Sequence, residues 1–126
     1  MKYLFLLITS LFLHACSSST CDDEQFELIG TWELVGACAS PGDASCPIQT
    51  PTEDRIVEFR ADSTFTFTMG NTTSNGTFTE SDGFIDFIND GGEIIFSRFI
   101  REANACELEL SPFCIEECRE LYEKID

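Results

Sequence analysis

Residues 55–69 read RIVEFRADSTFTFTM. From Thr64 to Met69 the chain alternates strictly, with Phe65, Phe67 and Met69 on one side and Thr64, Thr66 and Thr68 on the other. A period of two in β-favouring residues predicts a half-buried strand. Just upstream, RIVEF points Val57 and Phe59 inward, and Ala61-Asp62-Ser63 between the runs is turn chemistry. The stretch reads as a β-hairpin with its phenylalanines toward a core.

The same pattern extends both ways. Upstream, FELIG leads into TWELVGAC. Downstream, Gly70-Asn71 and Asn75-Gly76 carry turn signals, and Phe78 follows in a strand. Ser81-Asp82-Gly83 precedes FIDFI, Asp90-Gly91-Gly92 precedes EIIFSRFI, and the turn at 102–105 precedes CELELS. The expected strands are 29–36, 54–60, 64–69, 76–80, 84–88, 93–100, 106–111 and 118–125. Short strands joined by tight turns predict an all-β, antiparallel, up-and-down eight-stranded barrel, because closure removes the exposed edges. In IIFSRFI (94–100) either face is apolar, so the register stays open. The tail CIEECRELYEKID is also ambiguous, since Ile115, Cys118, Leu121, Tyr122 and Ile125 fall near helical spacing and local propensity leans to helix. As a strand it sets Tyr122 and Lys124 on one face and Leu121 and Ile125 on the other.

The front of the chain is different. Lys2 precedes YLFLLITSLFL (3–13), which carries no charge. That run is shorter than the ~20 residues of a spanning helix and fits the ~7–15 residue apolar region of a secretory signal. Leu13-His14-Ala15-Cys16 resembles the lipobox of bacterial lipoproteins, with His14 where a small residue is usual. The resemblance implies a signal peptide at 1–15, cleavage before Cys16, and a lipid anchor of palmitate-like acyl groups on the Cys16 sulfur and new amino group. The thiolate's nucleophilicity suits it to that transfer. The alternative is an ordinary signal cut after Ala15, with Cys16 in a disulfide. Ser17 resembles outer-membrane sorting, and Asp22-Asp23-Glu24 resembles the acidic tract of surface-displayed lipoproteins or is a solvated tether. The expectation is an outer-membrane lipoprotein of the cell envelope, on its periplasmic face or the cell surface, with an acylated tether at 16–27 and the barrel at 28–126.

Removing residues 1–15 from 126 leaves 111, a chain with a modest core that covalent staples would help. Lys2 leaves with the signal while all 23 acids stay, so six basic residues face 23 acids, a net charge of −17. Such a surface repels phosphate backbones and excludes nucleic acid as a partner. Of seven cysteines, Cys16 is assigned to the anchor, leaving Cys21, Cys38, Cys46, Cys106, Cys114 and Cys118. An even number in an oxidising compartment suggests disulfides, although six cysteines allow about 15 pairings. Spacing favours Cys38 with Cys46 across ASPGDAS, and Cys114 with Cys118 across IEE. That leaves Cys21 with Cys106. A zinc site at Cys106, Cys114 and Cys118 is the rival, but zinc prefers closer pairs with histidines, and the one histidine, His14, lies in the signal. No metal or cofactor is expected.

LIGTWELV, VEFRADSTFTF, GTFTESDGFIDF and CIEECRELYEKI, in that order, resemble small lipocalin-like lipoproteins of Gram-negative bacteria. The resemblance covers residues 28–125 and implies an eight-stranded calyx whose tail is a strand; Glu117 stands where that family commonly has glycine. Gly30-Thr31-Trp32 resembles the lipocalin Gly-x-Trp signature, which implies a tryptophan closing one end of the barrel and a basic residue, here Lys124, stacking on it. The physics agrees, since a large apolar ring can plug a wet opening.

With no histidine after the signal, the commonest general base and the Ser/His and Cys/His pairings are missing, and no enzyme is expected. The carboxylates mostly alternate with apolar residues, which places them on the solvent face. Asn71 and Asn75 sit in N-x-T sequons, and Asp62-Ser63-Thr64 weakly resembles a bacterial O-glycosylation site. Two functions remain. A binding module would hold a small hydrophobic ligand lined by Phe59, Phe65, Phe67, Phe78 and Phe87, or those rings would fill the interior themselves. A surface structural or interaction protein would meet a protein partner through the long loop at 37–53.

Overall fold

Eight strands follow in chain order in a computed structural model that describes residues 25–39, 46–114 and 117–126: β1 (Gly30–Ala39), β2 (Arg55–Phe59), β3 (Thr64–Met69), β4 (Thr72–Ser81), β5 (Phe84–Ile88), β6 (Ile94–Ala103), β7 (Glu107–Pro112) and β8 (Cys118–Lys124). Each pairs antiparallel with the next and β8 pairs back onto β1, so the sheet closes into a barrel. The protein is all-β, with no helix among the described residues. The 55–69 hairpin forms with Val57 opposite Phe67 and Phe59 opposite Phe65. Its turn is held by Ser63 N donating to the Arg60 carbonyl and by Asp62 Oδ1 accepting from Thr64 N, with Ser63 at φ 66°.

Inward side chains pack ring on ring. Phe59 lies edge-on to Phe78 at 5.0 Å, Phe65 edge-on to Phe87 at 4.9 Å, and Phe96 stacks on Phe87 at 4.3 Å. Burying each such side chain is worth about 1.5–3 kcal/mol, so this cluster is the main source of stability.

Several expectations are corrected in detail. Met69 does not point into the core; it is exposed at the strand's end. Asn75-Gly76 is not a turn. β4 starts at Thr72, immediately after the Gly70 turn, and Asn75 pairs across to Thr66, whose hydroxyl donates to it at 2.8 Å. β1 runs on to Ala39, because β8 pairs with it as far as Cys118. β6 continues to Ala103 rather than stopping at 100. Its open register resolves with Phe96, Arg98 and Ile100 inward and Ile94 and Ile95 exposed, since that phase alone stacks Phe96 on Phe87. The tail is a strand, as the expected strand at 118–125 and the resemblance had it, and its helical propensity yields to ladders on both sides, one to β1 and one to β7. Glu117, where the resembling family commonly has glycine, does not take the positive φ that would favour glycine; among described non-glycine residues only Ser63 and Asp82 do.

Gly76 has a specific task. A β-carbon there would collide with the backbone oxygen of Ile88 on the neighbouring strand. Backbone cannot step aside as a flexible side chain can. Gly76→Ala should therefore cost about 1–3 kcal/mol by chemical denaturation, the usual penalty of overpacking. Gly91→Ala, facing only the Asn89 side chain at 3.2 Å, should cost much less.

Candidate functional site

One end of the barrel is sealed. Trp32 is fully buried, and its indole Nε1 donates to the Leu28 carbonyl at 2.9 Å. Lys124 Nζ lies 5.3 Å from the ring centroid, a cation–π contact. Phe26, just before β1, packs on the same ring at 6.3 Å. Gly30 sits at φ 137°, and a side chain there would press on Lys124 Cε, so glycine is required where Lys124 crosses. The Asp126 carboxylate accepts from Thr31 N at 2.6 Å and Thr31 Oγ1 at 2.7 Å, which holds its pKa below the ordinary range. Gly30, Trp32 and Lys124 thus come together.

The opposite end is open. A cavity of about 660 Å³ is lined by Ala37, Gln49, Pro47, Arg55, Pro112 and Glu120, with Cys38 and Cys118 on its rim. Two disulfides border it. Cys38–Cys46 and Cys114–Cys118 span Cα distances of 5.6 and 6.3 Å, and Cys46 Sγ lies 3.4 Å from the Glu117 carbonyl, so the two cross-links are neighbours. Cys106 is also disulfide-bonded. Its expected partner Cys21 lies outside the described residues, as do the anchor candidate Cys16 and the signal peptide.

The floor of the cavity is ionic. Glu120, buried and pointing inward, accepts from Arg55 Nη1 at 2.5 Å and Arg98 Nε at 3.0 Å. Tyr122 OH donates to Glu120 Oε2 at 3.2 Å. Burial pushes the Tyr122 pKa well above the ordinary phenol value and the Glu120 charge adds to this, so the hydroxyl stays protonated and donates. The two guanidiniums rest on aromatic faces, Arg55 over Phe67 at 5.8 Å and Arg98 over Phe96 at 5.0 Å. Glu120 is an exception to the expectation that the carboxylates mostly face solvent. The alternation that turned Tyr122 and Lys124 to one face of β8 also turns Glu120 to it, and Arg55 shares the phase of Val57 and Phe59. Period-two counting carried one step further along each strand would have found both residues.

The five phenylalanines named as ligand-lining candidates do not share one environment. Phe59, Phe65, Phe78 and Phe87 are buried in mutual ring contact, whereas Phe67 is half-buried near the open end beneath Arg55. Among the described residues, no cluster of His, Cys, Asp and Glu could hold a metal ion.

No protein-family model and no curated protein matches this sequence. An NMR structure of a protein from Bacteroides uniformis ATCC 8492 is similar, with a TM-score of 0.61 at 16% identity over 83% of this chain and 97% of that one. The likeness is one of fold. It carries the barrel and says nothing of a ligand.

Outside the barrel, Glu109 is buried against Arg119 Nε at 2.5 Å and Arg101 Nε at 3.5 Å. The Arg119 hydrogen bond holds the Glu109 carboxyl below its ordinary pKa against the opposing effect of burial, and the Arg119 and Arg101 charges help. A depressed folded-state pKa stabilises the fold above the unfolded value, about 4.3 for Glu. That stabilisation is lost as pH falls through the lower folded value. Urea midpoints should fall on acidification below about pH 4, and Glu109→Gln should flatten that part of the curve. An equally steep curve in the variant would remove Glu109 from the account.

Proposed function

We propose that this protein is a membrane-tethered, lipocalin-like binding module that holds a small ligand with apolar character at its open end and carries out no reaction. The observation that supports it is the asymmetry of the barrel: one end is plugged by Trp32 and Lys124, and the other keeps an open cavity of about 660 Å³. That volume falls in the ~300–1,000 Å³ range of small-molecule sites. The lipobox-like Leu13-His14-Ala15-Cys16 supports an outer-membrane anchor at Cys16. Binding rather than catalysis is favoured because the cavity's inward carboxylate, Glu120, is already engaged by Arg55 and Arg98, and the sole histidine, His14, precedes the proposed anchor.

Native mass spectrometry of the protein released from membranes tests the reading. A co-purified small-molecule adduct is expected, and persistent absence of adducts together with failure to bind added amphiphiles would overturn it. Cys16→Ser should abolish acylation and membrane association; unchanged fractionation would remove the anchor. A second reading is a structural or interaction lipoprotein with a filled barrel. It is favoured by the mutual packing of Phe59, Phe65, Phe78 and Phe87, and by exposed Phe99 and Phe113 flanking half-buried Phe84 on the outer wall.

A further inference from the structure

Charges at the open end do not balance. One carboxylate, Glu120, faces two guanidiniums. Arg98 is well satisfied: Nε and Nη2 point at Glu120, and Nη1 donates to the Ser97 carbonyl at 3.0 Å. Arg55 is not. Its Nη1 donates to Glu120, its guanidinium also lies beside the Tyr122 hydroxyl, its Nη2 reaches the Met69 sulfur at 3.7 Å, and its buried Nε has no hydrogen-bond partner among the described residues. A guanidinium carries five N–H donors and a thioether is a weak acceptor, so Arg55 keeps donors and positive charge uncompensated. It does so where it lines the cavity.

This positive spot belongs to a chain of net charge −16. Solubility is already served by the acids, so it gives no reason to place two arginines inside the barrel. In the lower dielectric of a barrel interior their attraction for an anion is stronger than on a surface. The neighbouring walls, Ala37, Pro47 and Pro112, are apolar, and Gln49 adds an amide.

We propose that the cavity takes a small amphipathic anion, with its acid group on the free Nη donors of Arg55 and its apolar part against Ala37, Pro47 and Pro112. This deepens the binding-module reading and rests on it. Glu120 competes with the ligand for the same guanidinium. It holds the arginine pair in place and at the same time limits how tightly an anion binds.

The test uses the acylated protein in nanodiscs of zwitterionic lipid, with empty discs subtracted. The probes are octanoate and its neutral isostere octanamide, each carbonyl-labelled with carbon-13 and followed by NMR titration. Octanoate should bind at least about tenfold more tightly, the yield of charge-assisted hydrogen bonds. Arg55→Met should bring octanoate down to the octanamide level and leave octanamide unchanged, which also reports that the cavity is intact. Glu120→Gln should tighten octanoate several-fold, a gain that misfolding cannot mimic. Equal affinities for the two probes, or an Arg55→Met variant that binds octanoate normally, would overturn the anion proposal and leave the binding module standing. If neither probe binds, both readings fall.

Discussion

Trp32→Ala should lose about 3–5 kcal/mol of stability, the usual cost of emptying a buried tryptophan site. For a domain of this size that lowers the melting temperature by roughly 12–20 °C. Three effects combine. The ring is fully buried, so its whole apolar surface is forfeited. The Leu28 carbonyl loses the indole donor at 2.9 Å. Lys124 loses the ring face on which its ammonium rests at 5.3 Å. Trp32→Phe separates these terms: it restores most of the apolar area, leaves Leu28 without its donor, and should cost about 1–3 kcal/mol. The chain has a single tryptophan, so its fluorescence reports this site alone. Emission should be that of a buried indole and should resist aqueous quenchers. A melting temperature unmoved by Trp32→Ala would mean that the sealed end is not sealed by Trp32.

Glu120→Ala should cost about 3–5 kcal/mol, toward the lower figure, because it strips the counter-charge from two arginines inside the barrel. The side chains of Arg55 and Arg98 are 22% and 17% exposed, so water relieves part of the loss. The Tyr122 hydroxyl loses its acceptor as well. The cost comes from charges left unpaired, and the ion pair itself contributes less than that. A triple variant, Glu120→Leu with Arg55→Met and Arg98→Met, should therefore recover most of the stability lost in Glu120→Ala. A triple variant no more stable than Glu120→Ala would show that the arginines matter through their packing on Phe67 and Phe96. The same comparison separates structure from ligand binding, since the triple variant folds without a charged site.

The fold was legible because its evidence is local. Phe65, Phe67 and Met69 against Thr64, Thr66 and Thr68 specify a strand whatever surrounds them, and Asp82-Gly83 or Asp90-Gly91-Gly92 specify a reversal within a few bonds. Such patterns repeated along the chain leave few ways to hide strand edges other than closure. The Cys38–Cys46 and Cys114–Cys118 pairings were legible for the same reason, as each closes a loop too short to reach far. The tail at 118–124 was not. Its residues favour helix by themselves, and only the unpaired edges of β1 and β7 on either side make a strand the better outcome. The site was legible in phase but not in partnership. Alternation turns Arg55, Arg98 and Glu120 inward, but it cannot bring residues 65 and 22 positions apart within hydrogen-bonding distance.

The strands other than the tail, and most of the turns, were readable from the residues because each depends on neighbours a few positions away, while the resemblance supplied the Trp32 plug. The register of β6 and the meeting of two arginines with one glutamate in the mouth of the barrel came only with the tertiary structure, which also overrides the helical propensity of β8. Those outcomes depend on which segments become neighbours after the sheet has closed.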